Sequence, residues 1–135
     1  VSLGVLDRSQ VASTLRHSDL FLDLSDYQAF GRTGLEGMAS GCIPVLPVFG
    51  GTSEYAEHGI NSFVVDTRSD EEILSAIGQY VTGRPQKRAE MRDSAIKTAL
   101  DYSIARAAYS ELELFRDFIG DGTSRGARSS KALTV

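Results

Sequence analysis

Two apolar runs flanking a segment of helical spacing constrain the fold of this 135-residue chain more than any other feature. The first, Leu20-Phe21-Leu22-Asp23-Leu24, has apolar residues on both faces at its centre, as expected of a strand buried on both sides of a parallel sheet. The second is Ile43-Pro44-Val45-Leu46-Pro47-Val48, a strand in which the prolines are tolerable near an end where no ladder donor is needed. Between them Leu35, Met38, Ala39 and Cys42 fall at i, i+3, i+4 and i+7, and Gly41 suits a left-handed C-cap. Strand, helix, strand in this order predicts an α/β fold with right-handed crossovers.

The rest of the chain extends the pattern. Val1 to Leu6 reads as a further strand, followed by a helix that Asp7 or Ser9 caps. Thr52 or Ser53 caps a single turn that stops at Gly59, and Ser62 to Val65 is a fourth strand. Ser69-Asp70-Glu71-Glu72 is a capping box for a helix with Ile73, Leu74, Ile77 and Val81 on one face. A polar helix over Gln86 to Leu100 precedes an amphipathic one from Ser103, with Ile104, Leu112, Phe115, Phe118 and Ile119 on its stripe. Residues 1–120 are expected to form one α/β domain. Residues 121–135 lack periodicity and read as a flexible tail.

Composition narrows the function. With 41% hydrophobic and 24% charged residues the chain is an ordinary globular one. It opens at Val1 with no lead-in before an apolar run, which reads as a piece of something longer. No apolar stretch reaches the roughly 18 residues of a membrane span, and no signal peptide is visible. Cys42 is the one cysteine, so a reducing, cytoplasmic setting is expected. His17 and His58 are far apart in sequence and make a metal site an unfavoured reading. The 14 Lys and Arg are scattered and the net charge is -4, so a nucleic-acid footprint is absent.

Ligands of such folds bind beyond the carboxyl ends of the strands. There the segment Ser25 to Gly41 offers a loop with two glycines running into a helix expected to begin near Thr33 or Gly34. Unpaired amides at that helix start, with Gly31 and Gly34 permitting close approach, suit a phosphate. Glu36, expected in the first turn, suits a ribose diol. Phosphate and ribose together suggest a nucleotide. The plainer alternatives are a first-turn acid that stabilises its helix, glycines present for turn geometry, and Gln28 as a solvated loop residue.

The order Tyr27-Gln28-Ala29-Phe30-Gly31, then Leu35-Glu36-Gly37-Met38-Ala39-Ser40-Gly41, then Gly50-Gly51 and Glu54, resembles the C-terminal half of family 4 retaining glycosyltransferases, over about residues 1–119. The resemblance implies a truncated C-terminal domain of the GT-B fold: a partial Rossmann-like parallel sheet with flanking helices, so that residues 1–120 are an incomplete nucleotide-sugar-binding Rossmann-like domain. It implies a nucleotide diphosphate sugar as donor, held by Phe30, Gly31, Arg32, Thr33, Glu36, Gly50 and Gly51, with no metal cofactor. Gln28 stands where the family has the first of two glutamates, and is implied to face the donor sugar as the catalytic-site residue. A basic pair for the diphosphate and an acceptor-binding N-terminal domain are implied upstream. This piece alone is then inactive. Two strands of the family's domain are implied between the counterparts of Val1–Leu6 and Leu20–Leu24, so these segments are not expected to pair. The rival expectation is a glycosyltransferase-like domain that only binds or assembles, for which Gln28 is the argument.

Overall fold

A computed structural model describes residues 2–129, with side chains through residue 119. The chain forms two compact units, Val1–Asp101 and Tyr102–Val135. In the first unit three parallel strands, β1 (Leu20–Leu22), β2 (Ile43–Pro47) and β3 (Phe63–Val65), lie in the order β1-β2-β3. Helices α1 (Arg8–Arg16), α2 (Arg32–Ala39), α3 (Asp70–Thr82) and α4 (Pro85–Asp101) accompany them.

β2 is the central strand and is buried throughout. Its alternate residues face opposite layers: Ile43 and Val45 pack with Phe63, Val65, Ala76, Tyr80 and Met91, whereas Leu46 packs with Met38, Tyr55 and Ala95. The prolines cost no ladder bond. Ile43 N–H donates to Asp19 O at 3.0 Å and Asp23 N–H donates to Val45 O at 3.0 Å, so odd residues of β2 face β1. Pro47 therefore turns its missing donor toward a point past Leu22, where β1 ends. Pro44 faces β3, which begins only opposite Val45.

Several expectations are corrected. Residues 2–6 form no strand, Val1 lies outside the described residues, and Leu3 and Val5 are exposed. Without a neighbouring strand that segment has no ladder to join. β1 is accordingly an outer strand, with Leu22 and Leu24 exposed, where burial on both faces was expected. On α3 the buried residues are Ala76 and Tyr80, while Leu74 and Val81 are exposed; the small Ala76 allows close packing on β3.

The caps also resolve in detail. Asp7 caps α1 and forms a reciprocal box with Gln10. Ser69 Oγ accepts from Glu72 N–H at 3.3 Å, but Glu72 takes the N–H of Asp66 at 2.8 Å, because Ser69 N–H already bonds Asp66 O. The single turn after β2 is a 3₁₀ turn, Gly51–Glu54, which ends well before Gly59. Its N-cap is Gly50, which has no side chain, so neither Thr52 nor Ser53 caps it; both lie inside the turn, and Thr52 Oγ1 donates to Pro47 O at 2.8 Å. Asn61 ties the following loop down, donating to Tyr55 O and to Thr98 Oγ1 of α4.

The second unit is built on α5 (Ile104–Ser129). Its helix continues past Gly120 into the segment 121–129, part of the expected tail. The rest of that expected tail, 130–135, lies outside the described residues.

Candidate functional site

The segments beyond the strand ends are 23–31, 48–54 and 66–69. The first two are joined backbone to backbone. Gln28 pairs with Gly50, Gln28 N–H donates to Phe49 O at 3.3 Å, and Gly51 N–H donates to Gln28 O at 2.9 Å. At Gly50, φ is 117° and a Cβ would stand 1.9 Å from Gln28 O; at Gly51 it would stand 2.1 Å from Ala29 O. Both glycines are thus required by the approach of one loop to the other.

Gly31 caps α2 in the left-handed region, with φ 78°. Its carbonyl accepts from the Tyr55 hydroxyl at 2.6 Å. A Cβ on Gly31 or Gly34 would fall 2.7 Å or 2.6 Å from that hydroxyl. These glycines therefore make room for Tyr55, against which Phe30 packs edge-on with ring centroids 5.8 Å apart. Sequence reasoning missed Tyr55, because nothing in local spacing shows which aromatic ring will reach a helix cap 24 residues earlier.

α2 begins at Arg32, with no side-chain cap. Gly34 N–H bonds Gly31 O at 3.0 Å, and among the described residues the amides of Arg32 and Thr33 have no acceptor. Arg32 and Thr33 are exposed. Because the helix starts at Arg32, Glu36 lies beyond the first turn, about 6 Å along the axis from Arg32. The favourable effect of a helix start on an acid fades within one turn, so the reading of Glu36 as a helix-stabilising acid loses its basis. Glu36 is exposed and lines a cleft of about 330 Å³ between α1 and α2, together with Leu6, Arg8, Val11 and Leu15. The cleft offers an apolar wall, one carboxylate and one guanidinium.

Beside the helix start, Gln28 is half-buried, and its Nε2 donates to Ser25 Oγ at 2.9 Å. Arg68, from the segment after β3, holds both carboxylate oxygens of Asp66, at 2.8 and 2.7 Å, and covers the Phe49 ring at 4.5 Å. The Arg68 guanidinium holds the Asp66 carboxyl well below the usual carboxylate range, at about 2. Cys42 is buried under α1, its thiol directed to Leu15 O and Ser18 O, and burial pushes it up; it is a packing residue rather than a nucleophile. His17 and His58 each bond a nearby carbonyl, of Ser13 and Val64. Among the described residues no group of three or more His, Cys, Asp or Glu is placed to hold a metal ion, and no helix is long and apolar enough to cross a membrane.

The structure therefore brings Gln28, Phe30, Gly31, Gly50 and Gly51 into one packed patch. Arg32 and Thr33 stand at the tip of α2, and Glu36 stands apart in the cleft with α1.

Known proteins share this arrangement of elements. The family model of glycosyl transferases group 1 matches residues 2–98. A glycogen synthase from Thermodesulfovibrio yellowstonii is 29% identical over 106 residues, 77% of this chain and 21% of that protein. A sucrose synthase from Acidithiobacillus caldus is 30% identical over 104 residues, 73% of this chain and 13% of that protein. The chain spans between 13% and 24% of the length of the curated relatives it matches. The Anabaena protein HepE, solved in complex with UDP-glucose, superposes with a TM-score of 0.64 at 28% identity, covering 68% of this chain and 25% of that one. Sucrose-phosphate synthase from Thermosynechococcus elongatus superposes with a TM-score of 0.77 over 88% of this chain and 30% of that one; at 17% identity it shows the shared fold alone. Matched by its family model over residues 2–98, the chain belongs to the glycosyl transferases of group 1, as an α/β Rossmann-like fragment of the kind found in the C-terminal domains of GT-B glycosyltransferases.

Proposed function

We propose that this chain is the donor-binding part of a retaining, hexosyltransferase-type enzyme that moves a sugar from a nucleotide diphosphate sugar to an acceptor. One observation carries the reading: a carboxylate exposed in a cleft, one turn along the same helix whose first amides are free. In it Glu36 accepts two ribose hydroxyls, and the base lies against the apolar wall formed by Leu6 and Val11. The amides of Arg32 and Thr33 receive the diphosphate, with the Arg32 side chain at the same tip. Gln28, beside Gly50 and Gly51, faces the donor sugar. The remaining diphosphate charge falls to cations outside this chain rather than to a metal. The acceptor falls to an N-terminal domain of the whole protein, so this piece alone does not turn over, and the setting is cytoplasmic. The binding of UDP-glucose by HepE supports a UDP-sugar as the first donor to try.

The test is to incubate the full-length protein with UDP-glucose and other nucleotide diphosphate sugars, following nucleotide release and the anomeric configuration of the product. Transfer with retained configuration is expected, and Gln28→Ala should lower it tenfold or more. Inverted product would overturn the retaining assignment. The neutral side chain of Gln28 favours a second reading, a binding or assembly module without transfer. Tight nucleotide binding with no transfer by the wild-type protein or any Gln28 variant would establish it.

A further inference from the structure

The loop after β1 holds three polar side chains in series. Asp23, only 8% exposed, accepts at Oδ1 from both the backbone N–H and the hydroxyl of Ser25. Ser25 Oγ in turn accepts from Gln28 Nε2 at 2.9 Å. Thr67 donates to Ser25 O at 2.8 Å and fastens this loop to the segment after β3.

Proton counting fixes the direction of the series. A serine hydroxyl has one proton, and here it is given to Asp23, so Oγ turns only lone pairs toward residue 28. The Gln28 amide can meet it only with nitrogen, because Oε1 in that place would set acceptor against acceptor. Oε1 is left as the outer atom, without a hydrogen-bond partner among the described residues. Asp23 Oδ2 is buried and unpartnered, so the carboxylate is spent on Ser25 alone.

We propose that Asp23 and Ser25 are positioning residues that lock the Gln28 amide with its carbonyl oxygen outward, and that they make position 28 selective for a hydrogen-bond donor, excluding glutamate. This rests on the reading of Gln28 as the residue facing the donor sugar. The amide is then the matched partner of Asp23. A carboxylate at 28 meets the lone pairs of Ser25 with the charge of Asp23 behind them, while the fixed Oε1 accepts a hydroxyl proton from the sugar.

The experiment is a double-mutant cycle by chemical denaturation of the full-length protein, with Gln28→Glu and Asp23→Asn. Gln28→Glu alone is expected to lower the folding equilibrium constant at least tenfold. Adding Asp23→Asn is expected to return most of that loss, since the neutral carbonyl oxygen that still accepts from Ser25 N–H holds the hydroxyl proton less strongly than a carboxylate and lets it turn to the carboxylate at position 28. In a Ser25→Ala background the coupling is expected to vanish. Additivity within twofold overturns the proposal, and so does coupling that survives Ser25→Ala, which would be plain charge repulsion. If Gln28→Glu yields no folded protein, recovery of folded protein by Asp23→Asn reports the same coupling, and no recovery overturns it. In the transfer assay Ser25→Ala should lower turnover at least fivefold with UDP affinity unchanged, and Ser25→Thr should restore it; unchanged turnover overturns the positioning role. Failure of the wild-type protein to bind UDP would strike the donor-site reading and leave the cycle to decide the orientation of Gln28.

Discussion

The two halves of the candidate site are built differently. Around Gln28, Gly50 and Gly51 the backbone of one loop lies against the backbone of the next, and nothing larger than glycine fits. Around Glu36 the walls are side chains of α1 and α2, the carboxylate is exposed, and the space is open. The packed half fixes geometry, and changes there register first in folding. The open half is available to a ligand, and changes there register in binding.

The largest effect is expected at Gly50. Gly50→Ala drives a Cβ into Gln28 O and strains a positive φ, and should cost on the order of 4 kcal/mol or more, read as a lowered denaturation midpoint. Gly59→Ala is the control: φ is 75° but nothing lies within 4 Å of the added atom, so only the left-handed penalty of about 1–2 kcal/mol is expected. Equal losses at the two positions would remove the distinction between strain and loop-to-loop contact.

Next comes Tyr55→Phe, which deletes the buried hydrogen bond to Gly31 O and leaves the ring in place. A loss of about 1–3 kcal/mol is expected by urea denaturation. UDP affinity should weaken too, since the cap of α2 loses its tether, and an unchanged stability would show that the hydroxyl is dispensable.

The smallest effect concerns Asp66. Its carboxyl is depressed to about 2 by Arg68, so the pair stabilises fully above the ordinary carboxylate value of 3.8 and loses that contribution as pH falls through about 2. Thermal scans between pH 5 and pH 2 should show a steeper acid loss for the wild-type protein than for Asp66→Asn, and the difference should shrink in salt, since Arg68 is exposed and Asp66 is only half-buried. Parallel curves would contradict the pairing.

The alternation of strands and helices, the C-cap at Gly41 and the placement of both prolines were legible because each depends on residues close in sequence. Gly41 indeed has φ 88°. The exposure of Leu22 and Leu24 was not legible, since an apolar strand carries no mark of whether a neighbour lies at its outer edge. Gly31 and Gly34 read from the sequence as room for an anion, and Gly50 and Gly51 as the end of a strand; that they also admit Tyr55 and a facing backbone was not legible, because those contacts are made across 21 to 24 residues. Likewise the link from Asp23 through Ser25 to Gln28 depends on how the loop folds back, which no periodicity encodes. Glu36 was found as a candidate by its chemistry, and the cleft beside α1 appeared only with the fold.

The central claim is that the open cleft at Glu36 holds the ribose of a nucleotide donor. It is tested most directly by calorimetric titration of UDP into the full-length protein and into its Glu36→Ala variant. Loss of hydrogen bonds to a charged group, about 1.5–3 kcal/mol, should weaken binding about 10- to 150-fold, with a denaturation midpoint unchanged because the side chain is exposed. An unchanged dissociation constant would contradict the account.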